Sequence, residues 1–203
     1  MPESHSTVWL QDANSGQLRP AVLCEGIQER HLVDVEQLWK PALGLVLKWA
    51  GRHHLEESSH WDWRAKLRSI GRSRRRSSFV VECDNMTQGL MIVDVSRKAR
   101  LEPDCGRGLV YVDYVEVAPW NRREWQPKRV FHSIGSAFLG VAIDWSFQLG
   151  FEGRIGLHSL PKAESFYRKV GMSDLGSDSN YEDLRYFEMT ARVAQTSNLR
   201  DYL

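Results

Sequence analysis

The hydrophobic pattern near the start of the chain changes from short strand-like stretches to a helical period. Residues 7–12 and 18–24 flank an Asn-Ser-Gly turn signal at 14–16, which predicts a first strand or a hairpin. From Gln28 onward the apolar residues recur at helical spacing. This period predicts a long helix that Pro41 kinks or splits, because proline cannot donate a backbone hydrogen bond.

The middle of the chain reads as three strands that follow a second helix. The pattern predicts that helix over residues 61–70. Residues 79–83 and 89–96 read as two strands with a tight antiparallel connection at 84–85. The third strand, residues 109–119, has the sequence LVYVDYVEVAP, a β-branched and aromatic run closed by proline.

The last part of the chain alternates helices with short strands. Residues 132–145 open a helix on small residues, and residues 155–172 predict a short strand, a turn and another helix. A final strand is predicted over residues 185–190. One mixed sheet with helices on its faces accounts for this order. Because the sequence has no internal repeat or interdomain linker, we expect residues 1–203 to form a single domain.

The composition is that of an ordinary globular protein, and it narrows the classes of function. Hydrophobic residues make up 42% of the chain and charged residues 26%, and the formal net charge is +1. This balance gives no overall attraction to nucleic acid or membranes, so any site for an anionic partner must be local. Three cysteines without a CxxC pair fit a reducing compartment. Without a signal peptide or an apolar run of about 18 residues, we expect a soluble, cytoplasmic protein that does not bind membranes.

The stretch from the third strand to the last predicted helix carries the candidate chemistry. A helix N-terminus presents unpaired backbone N–H groups and a positive dipole end, which suit a phosphate. The segment 133–136 contains small residues that let a phosphate approach the backbone, and Lys128 and Arg129 offer charge-assisted contacts. With Tyr167 on the following helix, this pattern indicates a nucleotide-phosphate site with a proton donor beside it.

Three motifs of this stretch occur in order along the chain. They are VEVAP at 115–119, SIGSAFL at 133–139 and AESFYRKVGM at 163–172. On these motifs the chain resembles the GNAT (Gcn5-related N-acetyltransferase) superfamily, with an acetyl-CoA-binding core at about 79–190. The resemblance implies an α/β (α+β) fold with a mixed, largely antiparallel central sheet and helices on both faces. It also implies an N-acetyltransferase that moves an acetyl group from acetyl-CoA to a primary amine by direct attack in a ternary complex.

The resemblance assigns cofactor contacts to residues of the first two motifs. In this family the pantetheine arm pairs with the strand end like an added β-strand, which implies backbone contacts at Val115 and Val117. Ser133 stands where the family usually has glycine, and Leu160 stands where it has asparagine. The other residues implied for cofactor binding lie just before the helix or in its first turn. They are Arg129, His132, Ser133, Ile134, Gly135 and Ser136.

The resemblance also suggests the catalytic residues. Tyr167 matches the tyrosine of the family that protonates the departing CoA thiolate. The attacking amine is mostly protonated at neutral pH, so a base is needed as well. Asp113 lies on the same strand face as Val115, and the resemblance makes it our first choice for this base, because several family members carry an acidic residue there. Glu116 points to the opposite face and is the reserve.

A second class of function stays open at this point. The segment 64–76, RAKLRSIGRSRRR, is the most basic part of the chain and suits an anionic partner or RNA. On this alternative, the protein is a non-catalytic GNAT-like module that binds acyl-CoA or a macromolecular partner. Nucleic acid is the less favoured partner, and a homodimer is an option. The histidines at 53, 54 and 60 lack the spacing of a helical zinc pair, so we expect no metal site.

Overall fold

Nine strands of one sheet and six α-helices make up the described part of the chain. The computed structural model describes residues 5–50, 57–58, 60–71, 73–123 and 128–203. The strands are β1 (His5–Asp12), β2 (Leu18–Glu25), β3 (Arg76–Cys83), β4 (Met86–Asp94), β5 (Val110–Val117), β6 (Phe131–His132), β7 (Ile155–Ser159), β8 (Ser173–Asp178) and β9 (Leu184–Met189). The helices are α1 (Glu29–Asp34), α2 (Lys40–Ala50), α3 (Trp63–Ile70), α4 (Ile134–Gln148), α5 (Glu164–Lys169) and α6 (Ala191–Thr196). The strand order is β6-β1-β2-β3-β4-β5-β7-β9-β8, which confirms the predicted mixed, largely antiparallel sheet.

The first two strands form an antiparallel hairpin, one of the two arrangements that the sequence predicts. The carboxylate of Asp12 accepts hydrogen bonds from the backbone N–H groups of Asn14 and Ser15, each at 2.9 Å. Gly16 closes the turn with a φ of +72°, a conformation that glycine adopts without steric cost. Local turn chemistry therefore determines how β1 and β2 pair.

The helical segment after β2 changes its register just before Pro41. A π-helical turn, Val35–Trp39, separates α1 from α2. Proline lacks the backbone N–H of a regular helical turn, and a local widening of the helix accommodates its absence. Trp39 ends this turn, is buried, and donates a hydrogen bond from Nε1 to the carbonyl of Thr87 at 3.1 Å. The predicted break at Pro41 thus takes the form of a wider turn.

The chain divides into two compact units, and each unit is built from two separate segments of sequence. The chain passes from one unit to the other within β4, within β5 and at the start of α4. The single domain expected for residues 1–203 therefore stays a prediction. The first unit consists of Met1–Met91 and Val115–Gly135, and the second consists of Ile92–Tyr114 and Ser136–Leu203.

A short parallel register joins β5 to β7 in the second unit. It runs from Val110 opposite Ile155 to Val112 opposite Leu157, and extends no further within the described residues. β7 pairs with β9, and β9 with β8, both in antiparallel orientation. A strand edge beyond its register offers backbone N–H and C=O groups to an extended ligand. The part of β5 after Val112 is therefore suited to pair with an extended ligand.

Three elements were not predicted from the sequence: β6, β8 and α6. β8 has the sequence SDLGSD, contains no β-branched residue, and alternates between exposed and half-buried side chains. Its register with β9 shifts between Asp174 and Ser177. α6 begins after Thr190, whose hydroxyl accepts a hydrogen bond from the backbone N–H of Val193 at 3.4 Å. Tertiary pairing and a local cap form these elements, rather than a strong hydrophobic period.

Candidate active site

Strand β5 carries both carboxylates that the sequence singles out, and their surroundings differ. Asp113 is half-buried, whereas Glu116 is buried with 8% of its surface exposed. Because side chains alternate along a strand, the two carboxylates point to opposite faces of β5. Val115 and Val117 are half-buried on the same strand. The two candidates for the base therefore have to be judged by their own contacts.

Glu116 is the centre of a buried cluster of hydrogen-bond donors. Its carboxylate accepts hydrogen bonds from Arg122 Nη2 at 2.6 Å, from Ser58 Oγ at 3.0 Å and from Trp63 Nε1. The side chains of both Glu116 and Arg122 are at most 10% exposed, so this ion pair is largely removed from water. Three donors to one carboxylate hold the Glu116 side chain in one position. This arrangement favours a role for Glu116 in fixing the chain rather than in accepting a proton from an amine.

Arg122 also contacts the end of the strand. Its Nε donates to the backbone carbonyl of Val117 at 3.0 Å. The Arg122 guanidinium thus bridges the Glu116 carboxylate and the Val117 carbonyl. The Val117 carbonyl, at the strand end expected to pair with pantetheine, already accepts a hydrogen bond within the protein.

The loop between β5 and α4 is closed at its base by a buried glutamine that the sequence did not indicate. Gln88 Oε1 accepts hydrogen bonds from Trp120 Nε1 and from Asn121 Nδ2, both at 2.9 Å. Asn121 Oδ1 in turn accepts from the backbone N–H of Phe131 at 2.9 Å, and Val130 N–H donates to the carbonyl of Trp120 at 3.0 Å. Both ends of the loop are thus held together just before the helix begins.

Ser133 precedes α4 in a conformation that glycine favours. Its φ is +71°, in the left-handed region where a side chain is sterically disfavoured. The Ser133 hydroxyl donates to the carbonyl of His132 and accepts from the backbone N–H of Gln11 at 3.2 Å. These bonds offset part of the steric cost. They also explain how serine can occupy the position at which the family usually has glycine.

The first turn of α4 lies next to positive charge. Ile134, Gly135 and Ser136 form that turn, so their backbone N–H groups lie at the positive end of a 15-residue helix. The pKa of His132 is lowered by burial and by the charges of Arg129 and Lys128, so its imidazole is neutral at pH 7. The same two cations that disfavour a charged imidazole would favour a phosphate.

Tyr167 lies on α5 in an apolar environment. It is 6% exposed, and its ring lies 5.3 Å from that of Phe166 and 5.6 Å from that of Phe187. Burial raises the pKa of Tyr167 to about 12. The phenol is therefore fully protonated at neutral pH, as a proton donor must be.

The basic segment 64–76 is less cationic than its sequence indicates. Arg64 lies 2.6 Å from a carboxylate oxygen of Glu29 and 2.6 Å from one of Glu36. These two acidic residues of the N-terminal helical segment neutralise Arg64. This pairing weakens the alternative that the segment binds an anionic macromolecule, because that alternative rests on the positive charge of the segment.

The described residues also bear on metal binding and on membrane spans. No group of three or more His, Cys, Asp or Glu side chains within the described ranges is placed to hold a metal ion. His53 and His54, whose spacing with His60 does not match a helical zinc pair, lie outside those ranges. None of the helices in the described part of the chain is long and apolar enough to cross a bilayer.

Solved structures identify the class of fold. No family model matches the chain, and no curated protein matches it by sequence. The chain is similar to FeeM, an N-acyl amino acid synthase from uncultured soil microbes, with a TM-score of 0.56 and 7% identity over 90% of this chain and 97% of that one. It is also similar to Mycobacterium smegmatis RimJ, solved with CoA-disulfide, with a TM-score of 0.51 and 17% identity over 94% and 91% of the two chains. The protein has the GNAT fold, which confirms the resemblance at the level of the fold.

Proposed function

We propose that this protein is an acyl-CoA-dependent N-acetyltransferase that acetylates a primary amine by direct attack. The observation that carries the proposal is the start of α4. There a left-handed Ser133 leads into a 15-residue helix beside Arg129 and Lys128. Backbone N–H groups at a helix start, with adjacent cations, form an anion site that suits the pyrophosphate of CoA.

The cofactor is assigned to two parts of the chain. The backbone N–H groups of residues 134–136 and the Arg129 side chain would hold the pyrophosphate, with Ser133 and the neutral His132 beside them. The pantetheine arm would pair with β5 at Val115 and Val117. The Val117 carbonyl already accepts a hydrogen bond from Arg122, so Val115 would provide the main pairing.

The reaction forms one amide bond and breaks one thioester bond. The amine nitrogen attacks the acetyl carbonyl, and the CoA sulfur leaves as a thiolate. Asp113 would take the proton that the amine loses, and Tyr167 would supply a proton to the thiolate. Binding both substrates together makes the attack effectively intramolecular, which lowers the barrier by several kcal/mol.

The raised pKa of Tyr167 sets a condition on this assignment. A phenol with a pKa of about 12 gives its proton reluctantly to a thiolate whose conjugate acid has a pKa of about 8.5 in water. The difference corresponds to roughly 5 kcal/mol. Burial of the departing thiolate raises its own pKa and narrows this gap, so the assignment requires that the thiolate leaves in a site shielded from water.

Ligand binding tests the cofactor assignment. We expect acetyl-CoA to raise the melting temperature of the protein, and titration calorimetry to show that Arg129→Ala weakens CoA binding about tenfold. The same variant should bind S-acetylpantetheine, which lacks the pyrophosphate, as the wild type does. Arg192→Ala removes an exposed arginine on α6 and serves as the matched control. If neither CoA nor acetyl-CoA binds to the wild type, the proposal is wrong.

Turnover tests the reaction. Release of free CoA should be slow with acetyl-CoA alone and faster with suitable members of a panel of amines. We expect Tyr167→Phe to lower kcat by about 10²-fold and to leave the affinity for acetyl-CoA unchanged, because the variant removes only the hydroxyl. Wild-type turnover in Tyr167→Phe would remove the phenol from the mechanism and leave the cofactor assignment standing.

A further inference from the structure

Three polar side chains in the second unit form a continuous chain of hydrogen bonds. The hydroxyl oxygen of Tyr111 lies 2.7 Å from His158 Nδ1, and His158 Nε2 lies 3.1 Å from a carboxylate oxygen of Asp178. The side chains of His158 and Asp178 are 3% and 11% exposed, and Tyr111 is buried.

The direction of the hydrogen bonds follows from the chemistry of the groups. The Asp178 carboxylate is held in its charged form, since its pKa is lowered chiefly by Arg100, whose Nη1 lies 2.7 Å away. A carboxylate can only accept, so His158 Nε2 carries a hydrogen. Burial lowers the pKa of His158, so Nδ1 carries no proton at pH 7 and accepts the phenolic proton of Tyr111. The resting imidazole is therefore neutral, with a proton poised to move onto Nδ1.

Other groups packed around His158 influence its charge. The ring of Tyr181 stacks on the imidazole, with centroids 3.9 Å apart and planes 9° apart, and the ring of Tyr186 lies 5.0 Å away. The Arg97 guanidinium lies 5.3 Å from the centre of the Tyr111 ring. Burial is the largest influence and lowers the pKa of His158, Arg100 and Arg97 act in the same direction, and Asp178 opposes them.

The chain of hydrogen bonds begins beside the candidate base. Tyr111 lies opposite Gly156 and Val112 opposite Leu157, so Asp113 and His158 are the next positions along the two strands. Asp113 and Tyr111 lie on one face of β5 because side chains alternate. The two side chains are two positions apart on that face, and the Asp113 charge contributes, after burial, to the raised pKa of Tyr111.

We propose that Tyr111, His158 and Asp178 form a proton relay that receives the proton of the acceptor amine from Asp113. As the amine attacks, its proton moves to the Asp113 carboxylate. Asp113 then passes a proton to the Tyr111 oxygen while the Tyr111 proton moves to His158 Nδ1. The product is an imidazolium ion paired with Asp178, and Asp113 is again a carboxylate. No oxidant or metal is needed. This inference rests on the proposed acetyl transfer and identifies positioning residues for it.

Steady-state kinetics with a substrate amine test the relay. His158→Gln preserves an acceptor toward Tyr111 and a donor toward Asp178 but cannot take a proton, and Tyr111→Phe breaks the first hydrogen bond. We expect each variant to lower kcat by about 10²-fold and to leave the KM for acetyl-CoA unchanged. The acidic limb of the kcat profile, with an inflection below about 6.5, should disappear in His158→Gln. Tyr186→Phe removes a buried hydroxyl that donates to Glu188, and should keep kcat within twofold.

Several outcomes would overturn the relay. The relay is wrong if His158→Gln and Tyr111→Phe fold and keep the wild-type kcat and pH profile. It is also wrong if Tyr186→Phe lowers kcat as much as they do, because the loss of kcat would then be a structural effect. Nitrogen-15 NMR of the wild-type imidazole needs no substrate, and it should show protonated Nε2, unprotonated Nδ1 and titration below pH 6.5. Titration above that value contradicts the relay whether or not the protein turns over. A wild type that binds no CoA would instead fail the proposed function, and the relay would then have no reaction to serve.

Discussion

Two buried charged clusters use residues of strand β5, and they differ in the kind of group at their centre. In the first unit, Glu116 accepts hydrogen bonds from Arg122, Trp63 and Ser58, all of which can only donate to it. In the second unit, the central group is His158, which accepts from one neighbour and donates to another. A carboxylate that only accepts hydrogen bonds can hold its donors in place, whereas an imidazole can gain or lose a proton without moving. One cluster is therefore suited to hold the chain and the other to move a proton.

Removing the cation from the Glu116 cluster should have the largest effect on stability. Arg122→Met leaves a buried carboxylate without its ionic partner, which we expect to lower the free energy of unfolding by about 3–5 kcal/mol. Urea denaturation monitored by circular dichroism would measure this loss. Arg123→Met changes an exposed neighbour and should stay within about 0.5 kcal/mol.

A double variant separates the ion pair from the packing. In Glu116→Leu/Arg122→Met both charges are gone, so we expect a substantial part of the stability lost in Arg122→Met to return. If the double variant is as unstable as the sum of the two single variants, the two side chains do not act as a pair and the contrast between the clusters weakens.

The next largest effect should be a difference in kcat between variants of the two carboxylates of β5. We expect Asp113→Asn to lower kcat about 10²-fold, because it removes the proposed base. Glu116→Gln should lower stability, because it weakens the bond to Arg122, and should retain most of kcat in the folded fraction. Kinetics and urea denaturation of both variants at one temperature would check this. The reverse result would make Glu116 the base.

The conformation of Ser133 predicts a smaller difference between two substitutions. Ser133→Ala loses the hydroxyl bonds and keeps the unfavourable φ of +71°, whereas Ser133→Gly loses the bonds and relieves the strain. We expect the glycine variant to be more stable than the alanine variant by about 1 kcal/mol. Thermal unfolding of the pair measures the difference. Equal stabilities would mean that the left-handed conformation carries no strain.

Acid should destabilise the protein through the histidine cluster, and this is the smallest of the expected effects. Burial lowers the pKa of His158 below that of the unfolded chain, so the unfolded state binds more protons once the pH falls below about 6.5. The stability that His158 contributes is thus present above that pH and lost below it. Melting temperatures between pH 7.5 and 5.5 should fall less in His158→Gln than in the wild type.

Burial lowers the pKa of His31 as well, so the stability that His31 contributes is also lost in acid. His31 therefore adds its own contribution to the fall of the melting temperature between pH 7.5 and 5.5. It therefore provides a comparison within the first unit. We expect His31→Gln to reduce the fall of the melting temperature in acid by that contribution. An unchanged fall in both His31→Gln and His158→Gln would show that neither histidine causes it.

Sequence reasoning succeeded where the cause is local. The turn at 14–16 formed because an aspartate caps it and a glycine closes it. Residues 84–85 connect β3 and β4 with φ values of +55° and +57°, as expected of an Asp-Asn hairpin turn. Ser133 stands where the resembled family usually has glycine, and its φ of +71° is a conformation that glycine favours. Each of these signals lies within a few residues of its consequence.

The clusters could not be predicted, because their members are distant in sequence. Ser58 and Glu116 are 58 positions apart, and Tyr111 and His158 are 47 positions apart. A glutamate six positions from an arginine is a common sequence pattern, and so is a histidine on a strand. Neither pattern by itself indicates a buried cluster. Tertiary structure, including the register of the strands, brings such groups together. The hydrophobic pattern of a single segment does not reveal that register.

The discontinuous make-up of the first unit has a consequence for synthesis. The hydrogen bond from the Gln11 backbone to Ser133 spans 122 positions, and β1 pairs with β6 at the same place. A ribosome adds about 5–20 residues per second, so the early hairpin waits for seconds before its last partner emerges. During that interval the outer edge of β1 is open to other chains. The nascent protein is therefore most exposed to aggregation, and most in need of a chaperone, before Ser133 has left the exit tunnel.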